Sequence, residues 1–410
     1  MAADGDLTVA VTGPTGTLGF GVIPLLQADD RVARIVGIAR RPFDPTAYGW
    51  TKMEYRRGDV RTSEALRNAF DEADVVVHLA FLVMGAASPE VIRSVNVEGT
   101  LNTFHAAAAA GARRFVYASS VAAYGFHADN PIGITEDWPV RPAARLFYAQ
   151  EKAELEQLLE AEAAHSARLG LYLLRPSIVL GPHAVGGKGH LPGPLAQLAR
   201  RLAKQADRLP VPLPVLVPAL PVQFVHEEDV GRAMLQCVVG AGPPGPYNIA
   251  ADGIVTATDL ARELGLRPLP LPVGPAQVAA RAVAALPFLP PIAGWVEAVS
   301  HPAIMDTTRA KRELGWAPRF TALEALRDTV RWGIRAGPCP IVRPSSRPER
   351  DEINDGVVPW AGDQQVEQRS DHPQPSEGRP VVPADQAAAP LQVEARCGAQ
   401  RHEGLGGGTT

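Results

Sequence analysis

The stretch VAVTGPTGTLGFGVIPLL, residues 9–26, decides the fold. An apolar run passes directly into Gly13, Gly16 and Gly19, and these glycines lead into an amphipathic helical pattern. A strand, a glycine-rich turn and a helix in this order are the fingerprint of a dinucleotide-binding unit. One glycine permits the tight turn, another lets the backbone approach a pyrophosphate, and the third allows close helix packing. Free N–H groups at the positive end of the helix would then face the phosphates.

The spacing of this loop is G-x-x-G-x-x-G, and it contains no Gly-Lys-Ser or Gly-Lys-Thr, so a P-loop is not indicated. A glycine-rich turn in an unrelated α/β protein is the alternative interpretation. The flanking strand and helix favour the dinucleotide site. The candidate contacts in the loop are the three glycines together with Thr15, Thr17 and Leu18.

The second apolar run ends in Arg40 and Arg41, where NAD-binding proteins place an acidic residue that binds the ribose 2′-hydroxyl. A guanidinium group suits a 2′-phosphate instead, because it forms bidentate, charge-assisted hydrogen bonds. We therefore expect NADP as the cofactor, with NAD as the alternative. In the alternative interpretation, the two arginines are solvated at the start of a loop and indicate no preference for NADP over NAD.

The first 180 residues alternate short apolar runs with helical patterns. Six of these runs predict strands, at residues 7–13, 33–40, 52–58, 73–80, 113–120 and 170–177. Several are apolar almost throughout, as expected for strands that are buried on both faces. Strands that alternate with helices predict an α/β fold, a doubly wound Rossmann parallel sheet with right-handed crossovers.

The chain divides into three parts by pattern. Residues 1–180 predict the NAD(P)-binding Rossmann domain, to which residues 222–252 return as a further part of the sheet. Residues 181–336 predict a smaller substrate-binding lobe, and its segment 209–224 is too rich in proline for a central strand. Residues 337–410 are rich in Pro, Gly, Gln and charge, so we expect a disordered tail.

The composition is that of an ordinary globular protein, with 410 residues, 46% hydrophobic and 20% charged. A net charge of -4 gives no electrostatic case for nucleic acid. The three cysteines have no metal-type spacing and favour a reducing compartment, so we expect a cytoplasmic protein with no metal site. We see no signal peptide and no apolar run of the ~20 residues that a membrane span needs. The expected partner is a small-molecule substrate, and a homodimer is left open.

An ordered series of motifs resembles the extended short-chain dehydrogenase/reductases, the NAD-dependent epimerase/dehydratase group. The resemblance covers residues 7 to about 335 and rests on the order and spacing of the motifs, none of which is decisive alone. The motifs are TGPTGTLG, GDV (58–60), VVHLA (76–80), NVEGT (96–100), YASSVAAYG (117–125), YAQEK (148–152), LRPSIVLGP (174–182), FVHEEDV (224–230), YNIA (247–250) and RAKRELGWAP (309–318).

The resemblance implies that Ser120, Tyr148 and Lys152 are catalytic. A solvated helix face is the usual interpretation of YAQEK taken alone, because residues four apart lie side by side on any helix. Lys152 is also expected to hold the cofactor ribose. Ser119 is expected to be a strand-end hydroxyl bonded to backbone. The remaining cofactor contacts that the resemblance implies are Asp59 and Val60 at the adenine, Leu79 and Ala80 along the cleft, and Pro176.

A tyrosine that exchanges a proton near neutral pH needs a pKa below its ordinary value near 10. A lysine charge about 4 Å away supplies ~1 kcal/mol in water but ~4 kcal/mol at an effective dielectric of about 20, or roughly three pKa units. We therefore expect Lys152 to lower the pKa of Tyr148 in a site that excludes water.

The substrate segment departs from the sugar-nucleotide members of the group. Ile178 replaces an asparagine that helps to bind the diphosphate there, and Val222 stands where those enzymes often carry an arginine. The pattern is closer to the sterol-dehydrogenase and dihydroflavonol-reductase side. It favours an oxidoreductase that transfers hydride to or from a hydroxyl or ketone of an apolar substrate.

Two other functions are left open. A nucleotide-sugar epimerase or dehydratase could use the basic stretch RRLAKQADR (200–208) to hold phosphates, although a solvated helix face is the interpretation that we favour. A non-catalytic NAD(P)-binding sensor would commonly lose the tyrosine or the lysine, and this chain keeps both. His226, in FVHEEDV, is expected to be structural.

Overall fold

The strands of the main sheet form where the apolar runs predict them. The computed structural model describes residues 6–83, 88–166, 168–184, 214–218, 220–263, 265–271 and 301–335. These residues belong to one compact unit, Met1–Pro344. The predicted tail (337–410) and the basic stretch (200–208) lie outside the described residues.

The strands are numbered in chain order. They are β1 (Leu7–Thr12), β2 (Val32–Ala39), β3 (Met53–Arg57), β4 (Val75–His78), β5 (Arg114–Ala118), β6 (Ile132–Ile134), β7 (Gly170–Pro176), β8 (Ile178–Leu180), β9 (Pro214–Pro218), β10 (Pro221–Val222), β11 (Phe224–His226), β12 (Gly245–Ile249), β13 (Val255–Thr256), β14 (Arg267–Leu271) and β15 (Ile304–Met305).

The helices are numbered in the same way. They are α1 (Thr17–Ala28), α2 (Ser63–Ala69), α3 (Pro89–Arg93), α4 (Gly99–Ala109), α5 (Phe147–His165), α6 (Glu227–Val239), α7 (Ala257–Glu263), α8 (Thr308–Glu313) and α9 (Ala322–Arg335). A π-helical turn, Ser94–Glu98, joins α3 to α4, and a 3₁₀ turn, Val121–Tyr124, follows β5.

The main sheet has seven parallel strands in the order β3-β2-β1-β4-β5-β7-β12. The first six positions reproduce the Rossmann order 3-2-1-4-5-6, and β12 adds a seventh strand at the edge. The predicted fold class is confirmed. The chain reverses its winding direction between β1 and β4, and the carboxyl ends of these two strands form the crevice where doubly wound folds bind ligands.

Both faces of the sheet are buried, because successive side chains of a strand point to opposite faces. Val9 and Val11 of β1 pack in one core with α1 and α6. Ala10 packs in a second core with side chains of α2, α4 and α5. The nearly continuous apolar runs that predicted these strands follow from this double burial.

Helices α1 and α6 approach each other more closely than side chains would allow. A Cβ atom on Gly231 would lie 2.1 Å from the carbonyl oxygen of Gly21, and one on Gly21 would lie 2.2 Å from that of Glu227. The two glycines therefore let the helix backbones touch, and this contact holds α1 against the sheet directly behind its glycine-rich turn.

The proline-rich segment forms short strands outside the main sheet. β9 pairs in parallel with β14, and β10 pairs with β13 in antiparallel fashion. The prediction that this segment holds no central strand agrees with these two-stranded sheets. Within the described residues, no helix is both long and apolar enough to cross a membrane.

We predict that Gly231→Ala lowers the free energy of unfolding by about 1–3 kcal/mol or more, because the added methyl group forces the two helix backbones apart. Urea unfolding followed by circular dichroism measures the change. Gln236→Ala, at a partly exposed position of the same helix, is the control and should stay within about 0.5 kcal/mol of the parent. Equal stability of Gly231→Ala and the parent would contradict the close helix contact.

Candidate active site

Close backbone contacts require two of the three glycines in the glycine-rich turn. Gly13 has a φ of +67°, and a Cβ atom there would lie 2.9 Å from the backbone nitrogen of Ala80. A Cβ atom on Gly19 would lie 2.0 Å from the carbonyl oxygen of Pro14, so a side chain would push α1 off its own loop. A Cβ atom on Gly16 would meet only Gly13 O, at an ordinary 3.5 Å.

The amino end of α1 is suited to an anion. It begins after Gly16 with no capping side-chain hydrogen bond and no acidic residue in its first turn. Its backbone N–H groups and the positive end of its dipole therefore face outward. Thr15 is half-buried, Thr17 donates to His183 O at 3.0 Å, and Leu18 packs on the core. The loop thus fits the pyrophosphate of a dinucleotide.

A buried histidine locks the ends of β1 and β4 together. The Thr100 hydroxyl donates to Asn96 O at 2.5 Å, so it accepts the Nε2–H of His78 at 2.9 Å. His78 Nδ1 then accepts from the Thr12 hydroxyl at 2.8 Å. Burial lowers the pKa of His78 to about 3, and the charge of Lys152 acts in the same direction. His78 is therefore a neutral structural link.

The predicted cleft residues Leu79 and Ala80 lie at this link. Their backbone N–H groups both donate to the Thr12 hydroxyl, each at 3.2 Å. The backbone of Leu79 and Ala80 therefore runs alongside Gly13, at the switch point where the chain reverses its winding direction. Pro176 ends β7, where it pairs with Ile249 of the edge strand.

Ser120 lies just beyond β5, at the same edge of the sheet. It caps the 3₁₀ turn that follows, and its hydroxyl oxygen accepts from Ala122 N at 3.2 Å. A hydrogen bond also joins Ser120 to Tyr148 of α5. Because the Ser120 oxygen accepts from the turn, its hydrogen is available to the tyrosine oxygen. The structure thus brings Ser120 and Tyr148 together.

Lys152 lies one helical turn after Tyr148 and is buried. Its ammonium donates to Ala118 O at 2.6 Å and to the Tyr117 hydroxyl at 3.2 Å. It also lies 3.6 Å from the ring centroid of Phe81 and 5.9 Å from that of Tyr148. The lysine charge therefore stands over the end of β5, among aromatic rings.

The expected lowering of the Tyr148 pKa is not met in this structure. Burial raises the pKa of Tyr148, and the hydrogen bond from Ser120 opposes that rise. The ammonium of Lys152 is engaged by Ala118 and Tyr117, so its charge is directed at the strand end.

Ser119 makes a different contact from the one expected. Its hydroxyl donates to the carboxylate of Glu156, not to backbone, and Glu156 forms a buried ion pair with Arg175. Glu156 follows Lys152 by four residues and lies on the same face of α5. The two serines of YASSVAAYG therefore have separate partners on the catalytic helix.

Two exposed arginines follow the carboxyl end of β2. Arg40 and Arg41 are exposed directly after β2. Their backbone is held by neighbours on β3, since Arg57 Nε donates to Arg40 O at 3.0 Å and the Tyr55 hydroxyl donates to Arg41 O. The dipeptide is thus fixed while its side chains stay accessible.

Asp59 and Val60 lie nearby but have structural partners of their own. Although burial would raise it, the pKa of Asp59 is lowered by hydrogen bonds from Arg61 and by the charge of Arg40. Val60 is buried, and a Cβ atom on Gly99 would lie 2.5 Å from its Cγ2. A contact of either residue with adenine stays a prediction.

The two apolar substitutions in the substrate segment lie close to each other in the fold. Ile178 N donates to the carbonyl of Gln223, the neighbour of Val222, at 3.4 Å. Ile178 is 40% exposed. The basic residues Arg200, Arg201, Lys204 and Arg208, which would support a phosphate, lie outside the described residues.

Three residues of the site were missed at the sequence level. Phe81 directly follows the predicted Ala80 and makes an edge-to-face contact with Tyr148 at 5.7 Å. Asn96 of the motif NVEGT holds Leu82 by its backbone and donates to Glu151 at 2.7 Å. The i+4 spacing of Glu156 to Lys152 places both on one face of α5, but no sequence signal predicts its bond to Ser119.

His226 has the structural role expected of it. Its Nδ1 accepts from Glu228 N at 3.2 Å and caps α6, and its ring stacks on Phe320 at 3.9 Å. Across the parts of the chain that the structure describes, no three His, Cys, Asp or Glu side chains are grouped to hold a metal ion.

The chain matches the NAD dependent epimerase/dehydratase family over residues 9–250, more than half of its 410 residues. It therefore belongs to that family, which confirms the resemblance seen in the motifs. The relatives that follow agree with a nicotinamide-dependent enzyme of this family.

Two curated relatives act in sterol chemistry by name. The chain is 28% identical over 350 residues to the 3 beta-hydroxysteroid dehydrogenase type 7 of Rattus norvegicus, with 80% of this chain and 95% of that protein covered. It is 31% identical over 179 residues to sterol demethylase protein B of Methylococcus capsulatus, with 43% of this chain and 52% of that protein covered.

A solved structure shows the same fold. MoeE5 in complex with UDP-glucuronic acid and NAD is 24% identical, with a TM-score of 0.60 and with 81% of this chain and 100% of that chain covered.

We predict that the free energy of unfolding falls less steeply with decreasing pH in His78→Asn than in the parent. Because the folded pKa of His78 is about 3, well below the unfolded value near 6.5, stability is full above pH 6.5 and falls as pH drops towards 3. The slope is at most about 1.4 kcal/mol per pH unit. Urea unfolding at pH 7, 6 and 5 measures it.

The control is His105→Asn, at an exposed position on α4, which should keep the parent slope. The same slope in the parent and in His78→Asn would show that His78 is not held neutral by burial.

Proposed function

We propose that this chain is an NADP(H)-dependent oxidoreductase that interconverts a hydroxyl and a ketone on an apolar substrate. The observation that carries the proposal is the hydrogen bond between Ser120 and Tyr148, formed beside Lys152 at the carboxyl edge of the sheet. A nicotinamide cofactor, when bound, supplies or accepts the hydride.

The residues divide the remaining work of the reaction. Tyr148 donates a proton to the carbonyl oxygen during reduction, or removes it from the hydroxyl during oxidation. Ser120 hydrogen-bonds the same substrate oxygen and orients it. Lys152 holds the ribose hydroxyls and adds positive charge that favours the phenolate. Its present acceptor, Ala118 O, keeps the ammonium at the strand end, within one helical turn of Tyr148.

The pyrophosphate is assigned to the turn between Gly13 and Gly19, whose first helical N–H groups have no competing side-chain cap. Arg40 and Arg41 are assigned to the 2′-phosphate. They are accessible, their backbone is fixed by β3, and no acidic residue takes the place of the first arginine at the strand end. NAD remains the alternative cofactor, as bound in MoeE5.

The apolar substrate is supported by Ile178 and Val222. Both stand in the segment that follows β7, where a charged diphosphate would need polar partners to offset its lost hydration. The steroid dehydrogenase relative spans most of this chain. Epimerisation or dehydration of a nucleotide sugar is the second candidate.

We predict that Tyr148→Phe abolishes turnover and leaves cofactor affinity nearly unchanged, because only the proton-bearing oxygen is removed. Lys152→Met should weaken both, since it also removes the ribose contact. A cofactor-coupled absorbance screen of sterols, aromatic ketones and nucleotide sugars measures turnover, and calorimetry measures cofactor binding. Full turnover by Tyr148→Phe would overturn the proposed function.

We predict tighter binding of NADP(H) than of NAD(H). A lost charge-assisted hydrogen bond costs about 1.5–3 kcal/mol, so Arg40→Ala or Arg41→Ala should weaken NADPH binding by roughly 10-fold or more. NADH affinity serves as the internal control and should barely change. If the parent protein binds both cofactors equally, the arginines do not contact the 2′-phosphate.

We predict that nucleotide sugars compete poorly with an apolar substrate. Two missing diphosphate contacts at about 1.5–3 kcal/mol each weaken binding by roughly 150-fold or more. Competition by UDP-glucose, UDP-galactose and GDP-mannose against a sterol or aromatic ketone tests this. Micromolar binding or C4 epimerisation of any of these sugars would favour the second candidate instead.

A further inference from the structure

A fully enclosed ion pair lies directly behind the catalytic residues. Glu156 and Arg175 expose only 2% and 4% of their side chains, and the guanidinium Nη2 lies 2.6 Å from Glu156 Oε2. Arg175 Nε also donates to Glu156 Oε1 at 3.0 Å. Two charges removed from water in this way are tolerated only if their remaining hydrogen-bonding groups are satisfied.

The other hydrogen-bonding groups of this pair bind elements around the site. Arg175 Nη1 donates to the Tyr124 hydroxyl at 2.7 Å and to Glu136 O at 3.1 Å. On the other side, Glu156 Oε1 accepts from the Ser119 hydroxyl at 2.5 Å. The pair therefore joins α5, β7 and the 3₁₀ turn to the end of β5.

The Ser119 bond is the part of this network nearest to the chemistry. Ser119 immediately precedes Ser120, and Glu156 stands one helical turn beyond Lys152 on the same face of α5. The bond thus clamps the strand end that carries one catalytic residue to the helix that carries the other two. Ser119 and Glu156 are both buried, so the bond lies inside the protein.

We propose that Ser119 is a positioning residue, whose hydrogen bond to Glu156 fixes the Ser120 hydroxyl against Tyr148. The inference rests on the proposed function, because it assigns Ser119 a role in that reaction. Ser119 does not touch substrate. It acts only through Ser120, which it holds at the position where the proton-transfer geometry is productive.

The expected size of the effect follows from the geometry of catalysis. A misplacement of about 1 Å near the reacting atoms costs up to roughly 10²-fold in rate. Ser119→Ala leaves Glu156 Oε1 its hydrogen bond from Arg175, so the ion pair stays satisfied and the fold is kept. Only the tie to the strand end is lost.

The pH dependence provides a second signature. The hydrogen bond from Ser120 opposes the rise in the Tyr148 pKa that burial causes. If Ser120 is no longer held, this bond weakens and the pKa of Tyr148 rises further. Alcohol oxidation needs the phenolate form of Tyr148. In that direction, the rise of kcat with pH should therefore occur at a higher pH in Ser119→Ala than in the parent.

The test is a double-mutant cycle of Ser119→Ala, Ser120→Ala and the combined variant, with kcat and KM measured on a substrate from the screen. Ser119→Ala alone should lower kcat about 10- to 100-fold with little change in KM, and Ser119→Thr should restore most of it. In the Ser120→Ala background, Ser119→Ala should cause little further loss of kcat, because the Ser120 hydroxyl that Ser119 positions is already absent.

Thr103→Val is the matched control. It removes an equally buried hydroxyl, which donates to Gly99 O within its own helix, and it should leave kcat and its pH profile unchanged. The positioning role is overturned if Ser119→Ala keeps the parent kcat. It is also overturned if the losses from the two serines multiply, which would indicate independent effects.

The outcome for Ser119 can be separated from that of the proposed function. Retained turnover in Tyr148→Phe overturns the function whatever Ser119 does. If no tested compound is turned over, NMR titration of Tyr148, labelled at the ring carbon that bears the hydroxyl, replaces the kinetics. The positioning role is supported if the pKa of Tyr148 is raised in Ser119→Ala and unchanged in Thr103→Val. It is overturned if the pKa of Tyr148 is unchanged in Ser119→Ala.

Discussion

The contact between Gly13 and Ala80 is the constraint on which the rest of the site depends. Two neighbouring parallel strands end here, and the backbones that leave them run so close that a single Cβ atom would lie 2.9 Å from a backbone nitrogen. Thr12 and His78 hold this contact in place. The Thr12 hydroxyl accepts from the backbone N–H groups of Leu79 and Ala80 and donates to the His78 imidazole. A residue with a side chain at position 13 would therefore open the crevice and turn the amino end of α1 away from it.

From this switch point the place of one candidate catalytic residue, Ser120, follows from strand order. β5 lies beside β4 and ends two residues before Ser120, β7 lies beside β5 and ends at Pro176, and all parallel strands finish at one edge. Strand order does not fix α5, which must bring Tyr148 and Lys152 over the end of β5. The buried pair of Glu156 and Arg175 does so, since it binds α5 to β7 and, through Ser119, to the end of β5.

The sequence predicted the fold better than it predicted the contacts around the candidate site. Strand–turn–helix order and apolar runs are local, so β1 to β5 and the loop from Gly13 to Gly19 could be found without a structure. The partner of Ser119 could not, because it lies 37 residues away and is chosen by packing. The same holds for the pKa of Tyr148. A Tyr-x-x-x-Lys spacing sets which helix face the two share, but the acceptors at Ala118 and Tyr117 decide where the ammonium points.

The raised pKa of Tyr148 bears on the kind of substrate that the site can process. Burial alone disfavours the phenolate, so a positive charge must act on it through a medium of low dielectric. A nucleotide sugar would bring its hydration water and the negative charge of its diphosphate into the crevice, and both would weaken that effect. An apolar molecule packed against Phe81, whose ring contacts Tyr148, would exclude water and strengthen the attraction between Lys152 and the phenolate oxygen. Under the proposed function, the apolar side chains of Ile178 and Val222 and the buried Tyr148 would serve the same requirement, the exclusion of water.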